Sequence, residues 1–401
     1  MSTPPTRPVL RHLDVHPVQD DDNPGLVLVD PLGLVDDQVF VPQGLLPVVS
    51  RFDGRRTLEE IRGELTAETG GQVPLELIER VARDLDERLL LQSSRFQQAL
   101  NQASQDFAAA PERPARHAGS AGYPAEPEAL RAALSSMVRR SDEPLRDAPL
   151  GLVAPHIDLA RGREGYSLAY SFLAECEPAD LYVVFGTGHQ GPRAVVTGLS
   201  SDWQTPLGAV PTDRDFVAAI HQRLGGPDPH DVWLHRAEHS LEFQVLFLQH
   251  VLSDRPFRVA GFLTGHLPPG PGTGDAPAAD VLAAFEATAA ESGQRVCYVA
   301  GADLAHLGPF FGDPSPIDEP RLAQLDAAER ARLGHVERGE PAAFHRDVEG
   351  PGNPDRVCGT TPIYLTAALA GGPGELLHYG QATAADGSQV VSFCSMAFGA
   401  A

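Results

Sequence analysis

Beyond its first third, the chain repeats one theme: short apolar runs separated by helix-patterned segments. The runs are Leu150–Val153, Leu181–Phe185, Val259–Leu263, Val296–Ala300 and Val390–Phe398. Runs of this length suit strands buried on both faces, whereas Leu241, Val245, Leu248 and Leu252 recur at helical spacing. The alternation predicts an α/β domain, a sheet with helices on its faces. In open sheets of this kind, ligands collect beyond the carboxyl ends of the strands. The residues that follow each run are therefore the place to look for chemistry.

Three runs lead directly into a histidine: Leu152-Val-Ala-Pro-His156, Tyr182-Val-Val-Phe-Gly-Thr-Gly-His189 and Cys297-Tyr-Val-Ala-Gly-Ala-Asp303-Leu-Ala-His306. Small residues at the junctions (Ala154, Gly186, Gly188, Gly301, Ala302) let backbone or substrate come close. The pattern predicts that His156, His189 and His306 share one site. A fourth candidate is Glu238-His239, just ahead of an apolar helix; Glu242 reads as the solvated start of that helix. Asp303 reads either as a turn cap or as a ligand. The other eleven of the fifteen histidines, His117, His230 and His345 among them, read as ordinary surface residues. Gly186-Thr-Gly188-His-Gln-Gly191 fits the dinucleotide fingerprint G-x-G-x-x-G, but a β-like run, Pro192-Arg-Ala-Val-Val-Thr, follows where a helix must open.

The bulk properties exclude several classes. A chain of 401 residues, 42% hydrophobic, can bury a large core. Its net charge of −23 opposes binding to nucleic acid and to anionic membranes. No segment approaches the roughly 18 apolar residues of a membrane span, and the N-terminal residues show no secretory apolar core. Cys176, Cys297, Cys358 and Cys394 form no CxxC pair, so neither a disulfide framework nor a zinc knuckle is expected. Cytoplasmic localisation follows as the expectation, with a homo-oligomer left open.

Residues 1–95 read as a separate small unit. Leu26–Val29 and Val39–Val41 suggest a hairpin. Thr57-Leu-Glu-Glu60 is a capping box opening a helix with Leu58, Ile61 and Leu65 on one stripe. Gly70-Gly71 ends it, and Pro74 opens another with Leu75, Ile78, Ala82 and Leu85. With Phe52-Asp53-Gly54 and Leu89-Leu90-Leu91, this segment resembles the PqqD-like winged-helix fold. That resemblance implies recognition of an extended peptide along the hairpin edge; a small cap or dimerisation module is the other reading. Residues 96–147, rich in Ala, Gln, Ser, Pro and Arg, read as a linker with helical pieces, and 148–401 as the α/β domain.

Within that last domain, Ala154-Pro-His156, Gly186-Thr-Gly-His189, Thr205-Pro-Leu-Gly208, Glu238-His239-Ser-Leu-Glu242, Asp303-Leu-Ala-His306, Cys358-Gly359 with Pro362-Ile363, and Tyr379-Gly-Gln381 occur in one order. Together they resemble the MEMO family, which includes the AmmeMemoRadiSam system protein B type and is similar in fold to class III extradiol dioxygenases. The resemblance implies a mixed sheet flanked by helices. It also implies a metal held by His156, His189 and a cysteine beside the Asp303–His306 pair, a position that falls on Ala305 here. Three outcomes stand open: Asp303 or His306 substitutes, His239 completes the set, or no metal binds. Two histidines with Asp303 would form the facial arrangement of non-haem iron(II), leaving His239, Glu238 and His306 for acid–base work. Asp158 stands where the family more often has a neutral residue, which places an acid near the pocket rim. The implied function is a mononuclear iron enzyme, dioxygenase-like or otherwise redox-active, acting on a small molecule or peptide. A non-catalytic binding or regulatory protein is the alternative.

Overall fold

The computed structural model describes residues 5–18, 23–119, 122–140, 144–253, 255–268 and 278–399. The chain divides into two units, Met1–Asp106 and Phe107–Ala401.

In the first unit, β1 (Asp14–Val18), β2 (Gly25–Val29) and β3 (Val39–Pro42) form an antiparallel sheet in the order β1-β2-β3. The helices are α1 (Leu46–Val49), α2 (Leu58–Thr69), α3 (Leu75–Glu87) and α4 (Ser94–Ala109), the last crossing the unit boundary. Both hydrogen bonds of the Thr57–Glu60 capping box form at the start of α2, and Gly70 closes it in the left-handed conformation that glycine tolerates. Leu58, Ile61 and Leu65 of α2 share one core with Ile78, Ala82 and Leu85 of α3 and with Leu28 and Val41 of the sheet.

The second unit begins earlier than composition suggests. β4 (Glu112–Arg113) pairs with a later strand and Arg113 is fully buried, so residues 107–147 are part of this unit rather than a free linker. In chain order there follow α5 (Pro127–Ser135), β5 (Gly151–Ala154), α6 (Arg163–Ala174), β6 (Leu181–Thr187), β7 (Val196–Gly198), β8 (Asp202–Thr205) and β9 (Gly208–Val210). Next come α7 (Arg214–Leu224), α8 (Pro229–Leu234), α9 (Ser240–Val251), β10 (Arg258–Thr264), α10 (Ala279–Ser292), β11 (Val296–Gly301) and β12 (Asp303–Leu307). The chain ends with α11 (Glu319–Glu337), α12 (Pro341–Glu349), α13 (Thr360–Ala370), β13 (Gly374–Thr383) and β14 (Val390–Phe398).

The main sheet is mixed, as expected. Its order is β12-β14-β5-β11-β6-β10-β7, with β13 added beside β14. β5, β11, β6 and β10 are parallel, and β14 and β7 flank them antiparallel. All five apolar runs are strands of this sheet. Val183 and Phe185 pack on one face with Phe285 of α10 and Leu365 of α13. On the other face, Gly186 and Gly301 receive the N-terminus of α9. After the Gly186–Gly191 loop comes β7 rather than a helix, so the backbone amides of a dinucleotide site are missing there. Among the described residues, no helix is long and apolar enough to cross a membrane.

Candidate metal centre

Strand register gathers the site. Gly301 of β11 stands opposite both Ala154 of β5 and Gly186 of β6, so β5 and β11 end level and β6 runs one residue further. His156, His189 and Asp303 each lie two residues past one of these ends and emerge on one rim. The N-terminus of α9 comes close above it. A Cβ on Gly186 would lie 2.6 Å from Ser240 Oγ, and one on Gly301 would strike the Ser240 carbonyl oxygen. That approach, fixed by the Ser240 hydroxyl donating to the Thr187 carbonyl (2.9 Å), carries Glu238 and His239 over the strand ends.

The rings of His156, His189 and His239 form a triangle with centroids 4.9, 4.9 and 5.3 Å apart. Each ring offers a nitrogen, and all three nitrogens lie within 4.8 Å of one another. The outward nitrogens already have partners. His156 Nδ1 lies 2.9 Å from the Gly301 carbonyl oxygen, so its proton resides there and Nε2 is left as an acceptor. The Glu238 carboxylate lies 3.0 Å from His189 Nδ1 and 3.1 Å from His239 Nδ1. It also accepts the backbone N–H groups of His189, His239 and Ser240. One carboxylate thus orients two nearly parallel rings, 17° apart. Outer-shell bonds of this type fix metal-binding imidazoles.

The fourth member is Cys358, on the turn that enters α13. Its Sγ lies 3.5 Å from His156 Nε2 and 3.8 Å from the Asp303 carbonyl oxygen. Burial opposes its ionisation, but His156 and a hydrogen bond from His189 outweigh that and bring the thiol down to about 7. Burial also disfavours a charged His189. Glu238 and Cys358 win, and they hold the ring protonated well above the ordinary imidazole range. Glu238 is correspondingly held well below the carboxylate range, burial notwithstanding, by His189 and His239. His156 lacks a carboxylate that close, and burial lowers its pKa.

Asp303 sits beside this cluster, with Oδ2 3.6 Å from His156 Nε2 and Oδ1 accepting the His156 backbone N–H at 2.9 Å. Burial raises its pKa. His306 makes no ring contact with the other three among the described residues. Its Nδ1 faces the carbonyls of Leu304 (3.1 Å) and Arg356 (3.3 Å), and its ring meets Phe311 edge-on. Asp158 is engaged with Arg161.

Three expectations need correction. Ala305, buried with its N–H bonded to Glu329 and Ser392, does not leave the site without a thiol: Cys358 reaches the same neighbourhood from 55 residues away. Glu242 is no solvated helix start. It is buried against Arg113, and it accepts from Tyr123 OH (2.5 Å) and the backbone N–H groups of Arg116 and His117. Nor are the remaining histidines uniformly superficial. His345 and His235 are fully buried, and the His117 ring packs edge-on against His239 at 5.6 Å. The signal for Cys358 was available, because a Cys-Gly pair at a helix entrance lets the backbone press close. A Cβ on Gly359 would strike the Asp303 carbonyl oxygen. Nothing in the local sequence marks Arg113 or His117.

The fold and site define a class: α/β proteins with an imidazole–thiol cluster at the carboxyl rim of a mostly parallel sheet core. The Memo-like protein family profile matches residues 113–397, and the chain belongs to that family. It is similar to a MEMO1 family protein of Aquifex aeolicus, 28% identical over 312 residues covering 78% of this chain and 79% of the relative. A Thermus thermophilus member is 29% identical, covering 77% and 88%. One from Archaeoglobus fulgidus is 32% identical, covering 48% and 69%. A solved structure of an uncharacterized Escherichia coli K12 protein matches at 15% identity and a TM-score of 0.38, covering 62% and 99%. That likeness is too loose to build on.

Proposed function

We propose that this chain is a mononuclear metalloenzyme that holds iron(II) through His156, His189 and Cys358 and acts on a small molecule or a peptide side chain. The donor set fits a transition metal: two imidazoles with bonded outer nitrogens and a thiol already inclined to ionise. The carrying observation is the meeting of Cys358 with His156 at the level strand ends. An iron ion there would supply Lewis acidity and one-electron chemistry. His239, on the shared Glu238 carboxylate and partly open to solvent, stands where it can exchange a proton with a substrate. Asp303 anchors the His156 backbone, and His306, its pKa lowered by burial, adjoins Asp303 as a second proton acceptor. Elemental analysis of anaerobically purified protein tests this. About one iron per chain is expected in the wild type and none in His156→Ala or His189→Ala; unchanged metal in both variants would overturn it.

A second reading, peptide binding without turnover, draws on the first unit. β3 ends its sheet, and beside it lies a cavity of about 270 Å³ lined by Phe40, Val41, Val81, Leu85, Asp84 and Arg88. An extended peptide could add there as a strand. Phe40→Asp should abolish capture of such peptides with metal content intact; retained capture would remove this reading.

A further inference from the structure

Arg113, the last residue of β4, and Arg116, His117 and Tyr123 beyond it are unusually well anchored for residues that lead out of a two-residue strand. Arg113 is fully buried, donating to the carbonyls of His235 (2.8 Å) and Glu238 (2.7 Å) and to the Glu242 carboxylate. The same carboxylate takes the N–H groups of Arg116 (3.1 Å) and His117 (3.0 Å) and the Tyr123 hydroxyl. Gly122 is locked against His117: a Cβ there would lie 2.7 Å from the His117 carbonyl oxygen and 3.4 Å from the Phe243 ring.

This anchoring delivers one side chain to the site. The His117 ring meets His239 at 5.6 Å and Phe243 at 5.9 Å, both edge-on, and its Nε2 lies 3.1 Å from the Ala237 carbonyl oxygen. Among the described residues, the His239 ring meets His189, His156, His117 and Phe243. The side chains of His239 and His189 keep about a third of their surface exposed, so the cluster opens to solvent next to this wall. We propose that His117 is a specificity-determining residue that, with Phe243, forms the wall beside His239 and restricts the approach to the cluster to slender groups. The proposal deepens the reading of this cluster as the working site, but its geometry does not require a bound metal.

Cys358 is a built-in reporter, since the other three cysteines are buried. Chelator-treated protein would be alkylated with iodoacetamide, a small reagent, and with N-phenylmaleimide, a bulky one, and the Cys358 rate followed by peptide mass spectrometry. Relative to iodoacetamide, phenylmaleimide should react at least about tenfold faster in His117→Ala than in the wild type. His117→Phe, which restores a ring, should stay within about twofold of the wild type. An unchanged ratio in His117→Ala overturns the proposal, as does an equal change in both variants. Cobalt(II) binding to the same proteins separates the two readings. If the wild type takes up no cobalt while the reagent ratio still shifts, the metal reading falls and the role of His117 stands.

Discussion

Glu238 Oε1 lies 3.0 Å from His189 Nδ1, so the ring is oriented before any ligand arrives. The same contact keeps His189 protonated, so a metal ion taken up there would displace that proton together with the one on Cys358. Near pH 6, below both pKa values, uptake should release about two protons per metal. Calorimetry in buffers of different ionisation enthalpy counts them. In Glu238→Gln the count should fall to about one, with metal affinity reduced roughly 10–100-fold. Equal counts in both proteins would mean that Glu238 does not set the charge of His189.

Gly359 controls how near Cys358 comes to the histidines. Any side chain there meets the Asp303 carbonyl oxygen and the Ala302 methyl at 2.7 Å. Gly359→Ala should lower stability by about 1–3 kcal/mol through overpacking and weaken metal binding at least about tenfold. Urea unfolding and equilibrium dialysis read the two effects. Wild-type affinity in a destabilised variant would show that the thiol position is not set by this contact.

The Arg113–Glu242 pair is buried on both sides. Removing one partner strands a charge in the core, so Arg113→Met should cost about 3–5 kcal/mol. Arg113→Met/Glu242→Gln should recover part of that, since no buried charge is left unpaired. Chemical denaturation checks both variants, and a double variant weaker than the single would contradict the account.

Much of this was legible in the chain. Buried parallel strands announce themselves as unbroken apolar runs because both faces are covered, and a histidine directly after such a run has only the rim to occupy. His156 and His189 stand directly after such runs; His306 does too, yet its ring meets Phe311 rather than the cluster, and His239 is marked instead by its place ahead of an apolar helix. Cys358 shows in the sequence only as half of a Cys-Gly pair; its nearness to Asp303 is created by tertiary packing of the α13 entrance on β12, which no spacing records. Glu242 was misread for a related reason: its buried partner lies 129 residues earlier, in a stretch whose composition suggested a linker.

Glu329 lies deep under β12, accepting from the Ala305 N–H, Ser392 and Tyr379. Burial pushes its pKa up to about 6 from the usual 4.5. A carboxyl raised on folding stabilises below its unfolded pKa, and that contribution is lost as pH climbs through the folded value. The wild type should therefore lose on the order of 2 kcal/mol relative to Glu329→Gln between about pH 4 and 7. Denaturation of both proteins across that range measures the difference; a flat one would contradict the shift.

The central claim is that sulfur and imidazole nitrogen bind the same metal ion. X-ray absorption at the iron edge of the loaded protein tests it directly. One sulfur neighbour at about 2.3 Å, the usual metal–thiolate distance, with nitrogen in the same shell and the sulfur lost in Cys358→Ala, is the result predicted. A shell of nitrogen and oxygen alone, unchanged by Cys358→Ala, would contradict it.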